Sequence, residues 1–564
     1  MKKVILFIVM LIVITTGSVL GIMYYKEIDP YNVIPSFSRG EINVVIEDKV
    51  IDTKNQPIIE DKNILLPYSL IKENITKDIE ISEKYNRAYL NIDTPSFKLE
   101  TDKLDNRLKD GVELNFLLKE IEDSHYLNII GLEDILEISV KYNKDENVLT
   151  IDTLNSKKQH GQIVDNTFLR PKKGYFSFVM DKLNKGDNIT LYDKEGKWRK
   201  IRNEKGYIGY VLDKKIEIKS KIKTGDNRIN KKREHWNNDK KINLVWDHIN
   251  KYSPDLSEEE KIKGLNVISP TWFSIVSESG YVVNNSDIKY VKDAHDKGYK
   301  VWALINNGFD PDLTHKLLLN EDGKKRAINQ IVTYASIYNL DGINIDFENV
   351  YYKDKDRLTA FIKDLTGALK EQNLIVSIDT TVPSGSLNWS KFYDRESLGK
   401  IVDYVMVMTY DEHWASSPKS GSVASIDWVS RGIEKSLKYI PNEKLIMGIP
   451  FYTREWEETE DNSGNIKVTS KALSMETVKN RIKEYDSEVI WLDDIGQHYT
   501  EYKKDGKKYR IWIEDSKSVD LKARLVHKYN LAGVGLWRKG FEEEEVWTVL
   551  NNTLYNNDRL VKEN

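Results

Sequence analysis

Residues 341–348 read Asp-Gly-Ile-Asn-Ile-Asp-Phe-Glu, and apolar and polar side chains alternate along them after the glycine. In a β-strand, side chains two residues apart point to the same face. The three polar residues, Asn344, Asp346 and Glu348, therefore share one face, and the apolar residues share the other. So much polarity on one face of a buried strand is stable only if the groups hydrogen-bond one another. The stretch predicts a buried strand that carries a polar network on one side.

Seven other apolar segments of similar length occur within residues 241–557, and they alternate with segments of helical pattern. Near-continuous apolar strands that alternate with helices indicate a parallel sheet covered by helices. Eight such units in a row fit an α/β protein with a closed (β/α)8 barrel, the TIM fold. The predicted strands are residues 242–246, 265–273, 301–307, 342–348, 374–380, 402–410, 445–452 and 533–537.

The polar face of residues 341–348 must then face the barrel interior, because the covering helices pack on the other side. Barrel enzymes place their chemistry at the C-terminal ends of the strands, which is where Glu348 lies. The long gap between the last two strands, residues 453–531, contains strand-like pieces such as residues 509–514. We expect an inserted α+β subdomain there.

The same eight residues resemble the signature of glycoside hydrolase family 18, written Asp-Gly-x-Asp-x-Asp-x-Glu. Residues 406–411, Met-Val-Met-Thr-Tyr-Asp, are similar to the Met-x-Tyr-Asp segment of that family, and Trp537 is similar to the tryptophan that floors its sugar site. The resemblance covers the barrel and none of the first 240 or so residues. Asn344 and residues 409–414 look most like the branch of spore-cortex and peptidoglycan hydrolases.

The resemblance implies a retaining glycosidase that cuts β-linked N-acetylglucosamine polymers through attack by the substrate's own 2-acetamido oxygen. In this scheme Glu348 protonates the leaving oxygen and then acts as the base toward water. Asp346 holds the acetamido N–H, and Tyr410 donates to the acetamido oxygen. Trp537 stacks beneath the distorted sugar ring, and Asp411 binds sugar hydroxyls.

Asn344 stands where the family signature has Asp. An amide cannot take up a proton, although it can donate a hydrogen bond to Asp346, so we expect activity with an altered pH profile. The nearby carboxylate of Asp346 should raise the pKa of Glu348 through like-charge repulsion. Asp341, the first residue of the signature, is counted with the catalytic set.

Further candidates for substrate contact are Trp272 after strand two, Asn306 after strand three and Glu514 in the insertion. Trp272 and Asn306 could equally pack or cap a loop. The nine histidines show no close metal spacing, and no glycine-rich phosphate loop is present. Neither a metal nor another cofactor is therefore predicted.

The N-terminus is strongly apolar, since Lys2 and Lys3 precede an uncharged run from Val4 to Tyr25. About 20 apolar residues are needed to span a bilayer, and flanking lysines favour the cytoplasmic side. Residues 1–26 are therefore predicted to be an uncleaved, single-pass anchor that places the rest of the chain outside the cell membrane. A cleaved signal peptide, which would leave a secreted protein, is the alternative.

Three segments separate the anchor from the barrel. Residues 41–155 are duplicated, since residues 81–94 and 138–153 both carry Lys-Tyr-Asn and end in Leu-x-Ile-Asp-Thr. They resemble the repeat named after the N-terminal domain of copper amine oxidases. Residues 161–216 alternate short strands with turns and resemble a bacterial SH3-like domain. Residues 217–240 are predicted to be a charged linker.

The overall charge is balanced, with 85 basic and 89 acidic residues and a formal net charge of -4, so nucleic acid is not an expected partner. The absence of cysteine excludes disulfides and thiolate catalysis. The expected partner is a polysaccharide that contains N-acetylglucosamine, either peptidoglycan or chitin, and we expect a monomer. A non-catalytic lectin with the same fold is a third hypothesis.

Overall fold

The computed structural model describes residues 2–34, 37–60, 63–93, 99–154, 159–221, 236, 240–460 and 464–556. These residues form two compact units. The first contains the N-terminal helix and several small sheets, and the second contains the described residues from 236 onward together with Leu99–Phe116. Most of the predicted linker, residues 217–240, lies outside the described residues.

Eight parallel strands form a closed barrel in the second unit. In chain order they are β1 (Ile242–Asp247), β2 (Val267–Pro270), β3 (Lys300–Asn306), β4 (Gly342–Asp346), β5 (Ile375–Thr381), β6 (Tyr404–Met408), β7 (Leu445–Pro450) and β8 (Gly533–Trp537). Each strand pairs with the next, and β8 pairs with β1, so the barrel sheet closes on itself. The predicted (β/α)8 fold is confirmed.

Helices cover the barrel because its strands are buried on both faces; every residue of β1 and of β7 is buried. Asp287 and Asp310 begin two of the helices, where each carboxylate accepts two backbone N–H groups that have no partner inside the helix. The helices are Ile288–Asp296, Pro311–Leu319, Glu321–Ile337, Lys355–Lys370, Arg395–Ile401, Ile426–Ser436, Ser516–Ala523, Leu525–Lys528 and Glu544–Tyr555.

The chain between β7 and β8 forms the predicted α+β insertion. Its antiparallel sheet has five strands, and the helix Met475–Tyr485 contributes Val478 to a core shared with Leu473, Ile511 and Ile513. The strands are Thr453–Glu460, Ile466–Leu473, Val489–Leu492, Gln497–Lys504 and Lys507–Ile513. The insertion thus has an apolar core of its own.

Two antiparallel hairpins repeat in the duplicated region. Ile79–Ser82 pairs with Arg87–Ile92, and Ile138–Asn143 pairs with Val148–Thr153. The two copies of the sequence pattern therefore adopt the same local structure, although residue 94 lies outside the described residues. The copper-amine-oxidase-N-like assignment stays a prediction. Other elements of the first unit here are Asn43–Ile46, Lys49–Ile51, Ile58–Glu60, Asn63–Pro67, Tyr68–Asn74, Lys119–Ile121 and Ser124–Asn128.

The region predicted to be SH3-like is all-β. Five antiparallel strands form one sheet, and Thr167–Leu169 pairs with Asp181–Leu183 beside it. Leu191, Ile201 and Val211 from this region lie in one buried apolar cluster. Its membership of the SH3-like class stays a prediction. The five strands are Gln159–Ile163, Asn188–Glu195, Trp198–Asn203, Ile208–Leu212 and Ile216–Lys221.

The N-terminal helix spans Lys2–Tyr25. Within it, the 19 residues Val4–Ile22 have a mean hydropathy of 2.7, and by length and composition they could cross a membrane. A signal sequence has the same properties. The anchor and the cleaved leader therefore both remain consistent with this helix.

Leu99–Phe116 belongs to the second unit, although its sequence lies within the duplicated region. Asn115 is fully buried there, and its Nδ2 donates to the carbonyl of Val282 at 2.6 Å. The backbone N–H of Asn115 donates to the hydroxyl of Tyr334 at 2.8 Å, and its Oδ1 accepts from the N–H of Asn284 at 3.2 Å. The segment, which contains Asp102–Arg107 and Val112–Leu117, is thus fastened to the barrel's helical layer.

Replacing Asn115 with Ala should lower the free energy of unfolding of the second unit by about 2–3 kcal/mol, because buried backbone groups of Val282 and Asn284 lose a partner. Thermal unfolding followed by tryptophan fluorescence measures the change. The control is Lys109→Ala, at an exposed position of the same segment. Equal midpoints for the two variants would show that this contact does not stabilise the barrel.

Candidate active site

The C-terminal ends of the barrel strands surround a cavity of about 650 Å³. Asp346 at the end of β4 and Glu348 just beyond it lie in its wall. Tyr410, two residues after β6, lies in the same wall, so the structure brings the three predicted catalytic side chains together. Other lining residues are Trp246, Trp272, Asn306, Asp379, Asp411, Tyr452, Arg454 and Trp537.

Asn344 lies one layer below the cavity and is fully buried. The indole Nε1 of Trp246 donates to its Oδ1 at 2.8 Å. Its Nδ2 donates to Ser377 Oγ at 3.0 Å and to Asp379 Oδ1 at 2.9 Å. The predicted hydrogen bond from Asn344 to Asp346 is therefore wrong, because the indole turns the amide donor toward β5.

The carboxyl groups of Asp346, Glu348 and Asp379 line the cavity together with that of Asp411. Burial raises the pKa of Asp346 well above its ordinary value, and the carboxyls of Glu348 and Asp379 raise it further. Burial also raises the pKa of Asp379 well above its ordinary value, although the hydrogen bond from Asn344 opposes this. Burial, helped by Asp411, raises the pKa of Glu348 to about 7. The cluster therefore retains protons near neutral pH.

The backbone beyond β4 is held by side chains rather than by a strand neighbour. Asn307 Oδ1 accepts from the N–H of Glu348 at 3.1 Å, and Asn307 Nδ2 donates to the Glu348 carbonyl at 2.9 Å. The hydroxyl of Tyr393 donates to the carbonyl of Phe347 at 2.9 Å. These three bonds set the direction in which the Glu348 side chain leaves the strand.

Asp411 has a φ of 60°, in the left-handed region that non-glycine residues seldom adopt. Its Oδ1 accepts from the hydroxyl of Tyr452 at 2.6 Å and from the guanidinium of Arg454 at 2.9 Å. Tyr410 packs edge-on against Tyr452, with ring centroids 6.3 Å apart. Burial raises the pKa of Tyr410 well above its ordinary value, so its hydroxyl keeps its proton.

Trp537 at the end of β8 is half-buried and packs against Trp246, with ring centroids 6.1 Å apart. Two glycines leave room for the rings of this site. A Cβ on Gly535 would lie 2.8 Å from the Trp246 ring, and a Cβ on Gly448 would lie 2.9 Å from the ring of Tyr410. Side chains at these two positions would displace the aromatic wall of the cavity.

Trp272 and Asn306 line the cavity, as predicted. The Trp272 indole N–H donates to Ser253 Oγ at 2.9 Å, and Asn306 Oδ1 accepts from Ser274 Oγ at 2.7 Å. Both side chains are therefore fixed by protein contacts. Their contact with substrate stays a prediction.

Asp341 lies just before β4, at the opposite end of the strand from Glu348, and does not line the cavity. Its Oδ1 accepts from Lys300 Nζ at 2.8 Å, and its Oδ2 lies 2.6 Å from His295 Nε2. Burial alone would raise the pKa of Asp341, but His295 and Lys300 hold it below its ordinary value. The catalytic assignment of Asp341 is corrected to a structural one.

Glu514 is also displaced from the predicted substrate site. It is fully buried, and both of its oxygens lie 3.0 Å from Lys522 Nζ. Gln497 Nε2 and Ser518 Oγ donate to the same carboxylate at 2.6 and 2.7 Å. The assignment of Glu514 to the cleft is corrected, since this ion pair ties the insertion to the helix that follows it.

Asp379, Tyr452 and Arg454 are site residues that the sequence analysis missed. Asp379 could have been found by the rule used for β4, because Ser377 and Asp379 alternate with apolar residues along β5. Tyr452 and Arg454 follow β7 and reach the site through a contact with Asp411 across some forty residues of chain. A local pattern cannot reveal such a contact.

Within the part of the chain that the structure describes, no group of three or more His, Asp or Glu side chains is arranged to hold a metal ion.

Residues 250–541 match the family described as Glycosyl hydrolases family 18. The uncharacterized glycosylase YvbX of Bacillus subtilis (strain 168) is 32% identical over 301 residues, which span 51% of this chain and 84% of YvbX. A cortical fragment-lytic enzyme of the same organism is 26% identical over 256 residues, 44% of this chain and 58% of that enzyme. A chitinase from Chromobacterium violaceum ATCC 12472, 23% identical, shares the fold with a TM-score of 0.50 over 56% of this chain and 99% of its own.

Proposed function

The chain belongs to Glycosyl hydrolases family 18 and is a glycosidase, and we propose that it cleaves the β-linked N-acetylglucosamine glycan of peptidoglycan in the cell wall or spore cortex. The observation that supports this most directly is the placement of Glu348. Its carboxyl has a pKa of about 7 and lies in one cavity with Asp346 and Tyr410. A protonated carboxyl at neutral pH is what leaving-group protonation requires.

In the proposed reaction the substrate's 2-acetamido oxygen attacks the anomeric carbon, as family 18 enzymes are an exception to the two-carboxylate scheme. The bond from the anomeric carbon to the leaving oxygen breaks while Glu348 gives its proton to that oxygen. Glu348, now ionised, accepts a proton from water as the water opens the cyclic intermediate. The anomeric configuration is retained, and the enzyme returns to its starting state.

Asp346, Tyr410 and Trp537 position the acetamido group and the sugar ring in this proposal. Asp346 Oδ1 is buried and has no hydrogen-bond partner among the described residues, which suits it to accept the acetamido N–H. The Tyr410 hydroxyl, kept protonated by burial, donates to the acetamido oxygen. Trp537 supplies a flat apolar surface beneath the ring, and Asp411 binds hydroxyls of the same sugar.

We propose peptidoglycan rather than chitin as the substrate because of the names of the relatives that this chain resembles. The cortical fragment-lytic enzyme of Bacillus subtilis is named for the lysis of cortical fragments, and it is 26% identical to this chain over 256 residues. In the proposed reaction these residues contact only the acetamido group and one sugar ring, so the same contacts fit chitin oligomers equally well. Turnover of chitin oligomers without release from peptidoglycan would favour the chitinase alternative.

The N-terminal helix supports a location at the outer surface of the cell membrane. If Val4–Ile22 crosses the bilayer, Lys2 and Lys3 remain in the cytoplasm and the barrel lies outside, within reach of the wall. If the segment is cleaved as a leader, the enzyme is secreted instead. The front segments between helix and barrel would then serve as spacers or wall-binding modules.

Glu348→Gln should lower kcat on purified spore cortex by about 10²-fold to 10⁴-fold or more, because the amide cannot donate the proton that the leaving oxygen needs. Reducing ends and the masses of released fragments are measured for cortex and for vegetative wall. Glu476→Gln, at an exposed helix position of the same barrel unit, is the control and should keep wild-type activity.

The proposed hydrolysis would be refuted if the wild-type protein bound cortex but released no fragments from it. If, in addition, Glu348→Gln did not change the binding of cortex, the protein would be identified as a lectin. Fragments that end in N-acetylglucosamine at the reducing end would instead support the proposed bond.

Activity should fall as the pH rises through about 7, because Glu348 loses the proton that it must donate and its pKa is about 7 rather than 4.5. The measurement is kcat against pH between 4 and 9 in a constant-ionic-strength buffer series. An activity that already falls near pH 5 would mean that burial does not hold the Glu348 proton.

A further inference from the structure

In this chain Asn344 replaces an aspartate of the family signature, and the carboxyl of Asp379 lies beside that position. Asn344 pairs with Ser377 and Ile345 pairs with Ile378 across β4 and β5. The next position in this register places Asp379 beside Asp346, both near the C-terminal ends of their strands. The site therefore retains two neighbouring aspartates, one from each of two strands instead of two from β4.

The side-chain amide of Asn344 is oriented to donate a hydrogen bond to Asp379. The Trp246 indole can only donate, so it fixes the amide oxygen of Asn344 toward β1 at 2.8 Å. The amide nitrogen is then turned to Asp379 Oδ1 at 2.9 Å and to Ser377 Oγ at 3.0 Å. Asn344 thus holds one oxygen of Asp379 as an acceptor and cannot itself take up a proton.

The pair is almost fully buried, since Asp379 is 2% exposed and Asp346 is 8% exposed. Burial raises the pKa of both well above the ordinary value. Two adjacent carboxyls in such a place cannot both ionise without strong repulsion. One proton between them is the arrangement that lowers this cost.

We propose that Asp379 is the positioning residue that replaces the missing signature carboxyl, and that it shares a single proton with Asp346. When substrate enters, Asp346 passes this proton to Asp379 and becomes the carboxylate that accepts the acetamido N–H. No proton enters or leaves the pair in this step. The proposal rests on the function proposed above, and it names a residue that acts through Asp346.

The groups around Asp379 that titrate or carry charge come from three stretches of the chain. Glu348 and Asp346 face it from β4 and its extension, and Tyr410 faces it from the chain after β6. Tyr393, in the chain after β5, is influenced by the same carboxyls. Burial raises the pKa of both tyrosines well above the ordinary value, so they stay neutral while the carboxyls titrate.

Asp379→Asn keeps the shape of the side chain and removes the shared proton. It should lower kcat about tenfold or more while KM changes little, and it should shift the acid limb of the kcat profile. The double variant Asn344→Asp with Asp379→Asn returns the carboxyl to β4 and should recover most of the lost kcat. Asp356→Asn, at an exposed helix position, is the matched control.

The double variant distinguishes a loss of positioning from a loss of folding. It contains the same number of carboxyls and amides as the wild type, and only their places are exchanged. Wild-type kcat and pH profile in Asp379→Asn would overturn the proposal. So would a folded double variant, judged by its melting temperature, that is no more active than the single one.

A second readout needs no activity and therefore distinguishes this proposal from failure of the proposed function. Carboxyl carbon NMR of the substrate-free enzyme follows Asp346 as the pH changes. In the wild type Asp346 should titrate together with Asp379 in two separated steps, whereas in Asp379→Asn it should titrate in one step at lower pH. A titration of Asp346 that does not change in Asp379→Asn would overturn the proton sharing, whatever the substrate.

An independent observation concerns residues 172–176 of the first unit, Lys-Lys-Gly-Tyr-Phe. Phe176 is 53% exposed and Tyr175 is 39% exposed. Close by, Val179 pairs with the chain that leaves the N-terminal helix. The Ile28 N–H donates to the Val179 carbonyl at 2.8 Å, and the Val179 N–H donates to the Lys26 carbonyl at 3.3 Å.

This pairing places residues 172–176 near the end of the apolar helix. Lys26 lies about 6 Å beyond Ile22 at the helical rise per residue. Phe176 lies at most about 10 Å of chain from Val179. The exposed aromatics are thus within reach of a membrane surface that Val4–Ile22 would cross.

We infer that residues 172–176 rest on anionic phospholipid headgroups of the membrane that the N-terminal helix crosses. Aromatic side chains favour the membrane interface, and lysines near the surface attract anionic lipid. Lys172 supplies positive charge on this segment, whereas Lys173 forms an ion pair with Glu195. Lys197 Nζ lies 4.4 Å from the ring centroid of Tyr175 and adds a further positive charge. The inference rests on the proposed membrane anchor.

The full chain has no cysteine, so a single introduced thiol carries a fluorophore at one known position. Phe176→Cys and, as control, Glu73→Cys on the exposed side of Tyr68–Asn74 are labelled and placed in vesicles of phosphatidylcholine and phosphatidylglycerol. Spin-labelled headgroups should quench the label at 176 several-fold more than the label at 73. If the two labels were quenched equally in protein that stays in the vesicles during alkaline extraction, the contact of residues 172–176 with lipid would be refuted and the anchor would not. Release of the protein by alkaline extraction would refute the anchor and the contact together.

Discussion

The burial of several carboxyl groups at one end of the barrel interior is the condition on which this site depends. Among the described residues, Asp346, Glu348 and Asp379 form no ion pair with Lys or Arg, and burial is the largest cause of the raised pKa of each. Carboxyls without a cation are costly to ionise there, so they keep protons that exposed carboxyls would lose. The role of general acid that we propose for Glu348 follows from that placement.

The closed barrel makes this placement possible. Asn344 joins β4 to Trp246 on β1 and to Asp379 on β5, and each of these bonds exists only because the strands surround a common interior. Gly448 and Gly535 keep the space that the aromatic wall occupies. Fold and chemistry are thus connected through a few inward positions of the barrel strands.

The barrel could be predicted from sequence because its strands and the polar face of β4 follow local periodicity. Asp341 and Glu514 were misplaced for one reason: their partners, His295, Lys300 and Lys522, are brought to them by tertiary packing. The same holds for Asn344, whose amide orientation is set by an indole almost a hundred residues earlier in the chain. The spacing of residues in the sequence reveals which face of a strand a side chain occupies. The hydrogen-bond partner of that side chain, by contrast, depends on the closed fold.

The most direct test of the account is the protonation state of Glu348 itself. Carboxyl carbon NMR of enzyme labelled at glutamate, with Glu348→Gln used to assign the signal, follows that side chain without any substrate. The account predicts a midpoint near pH 7. A midpoint near the ordinary value of 4.5 would contradict it, because the acid would then be ionised at the pH at which it must donate.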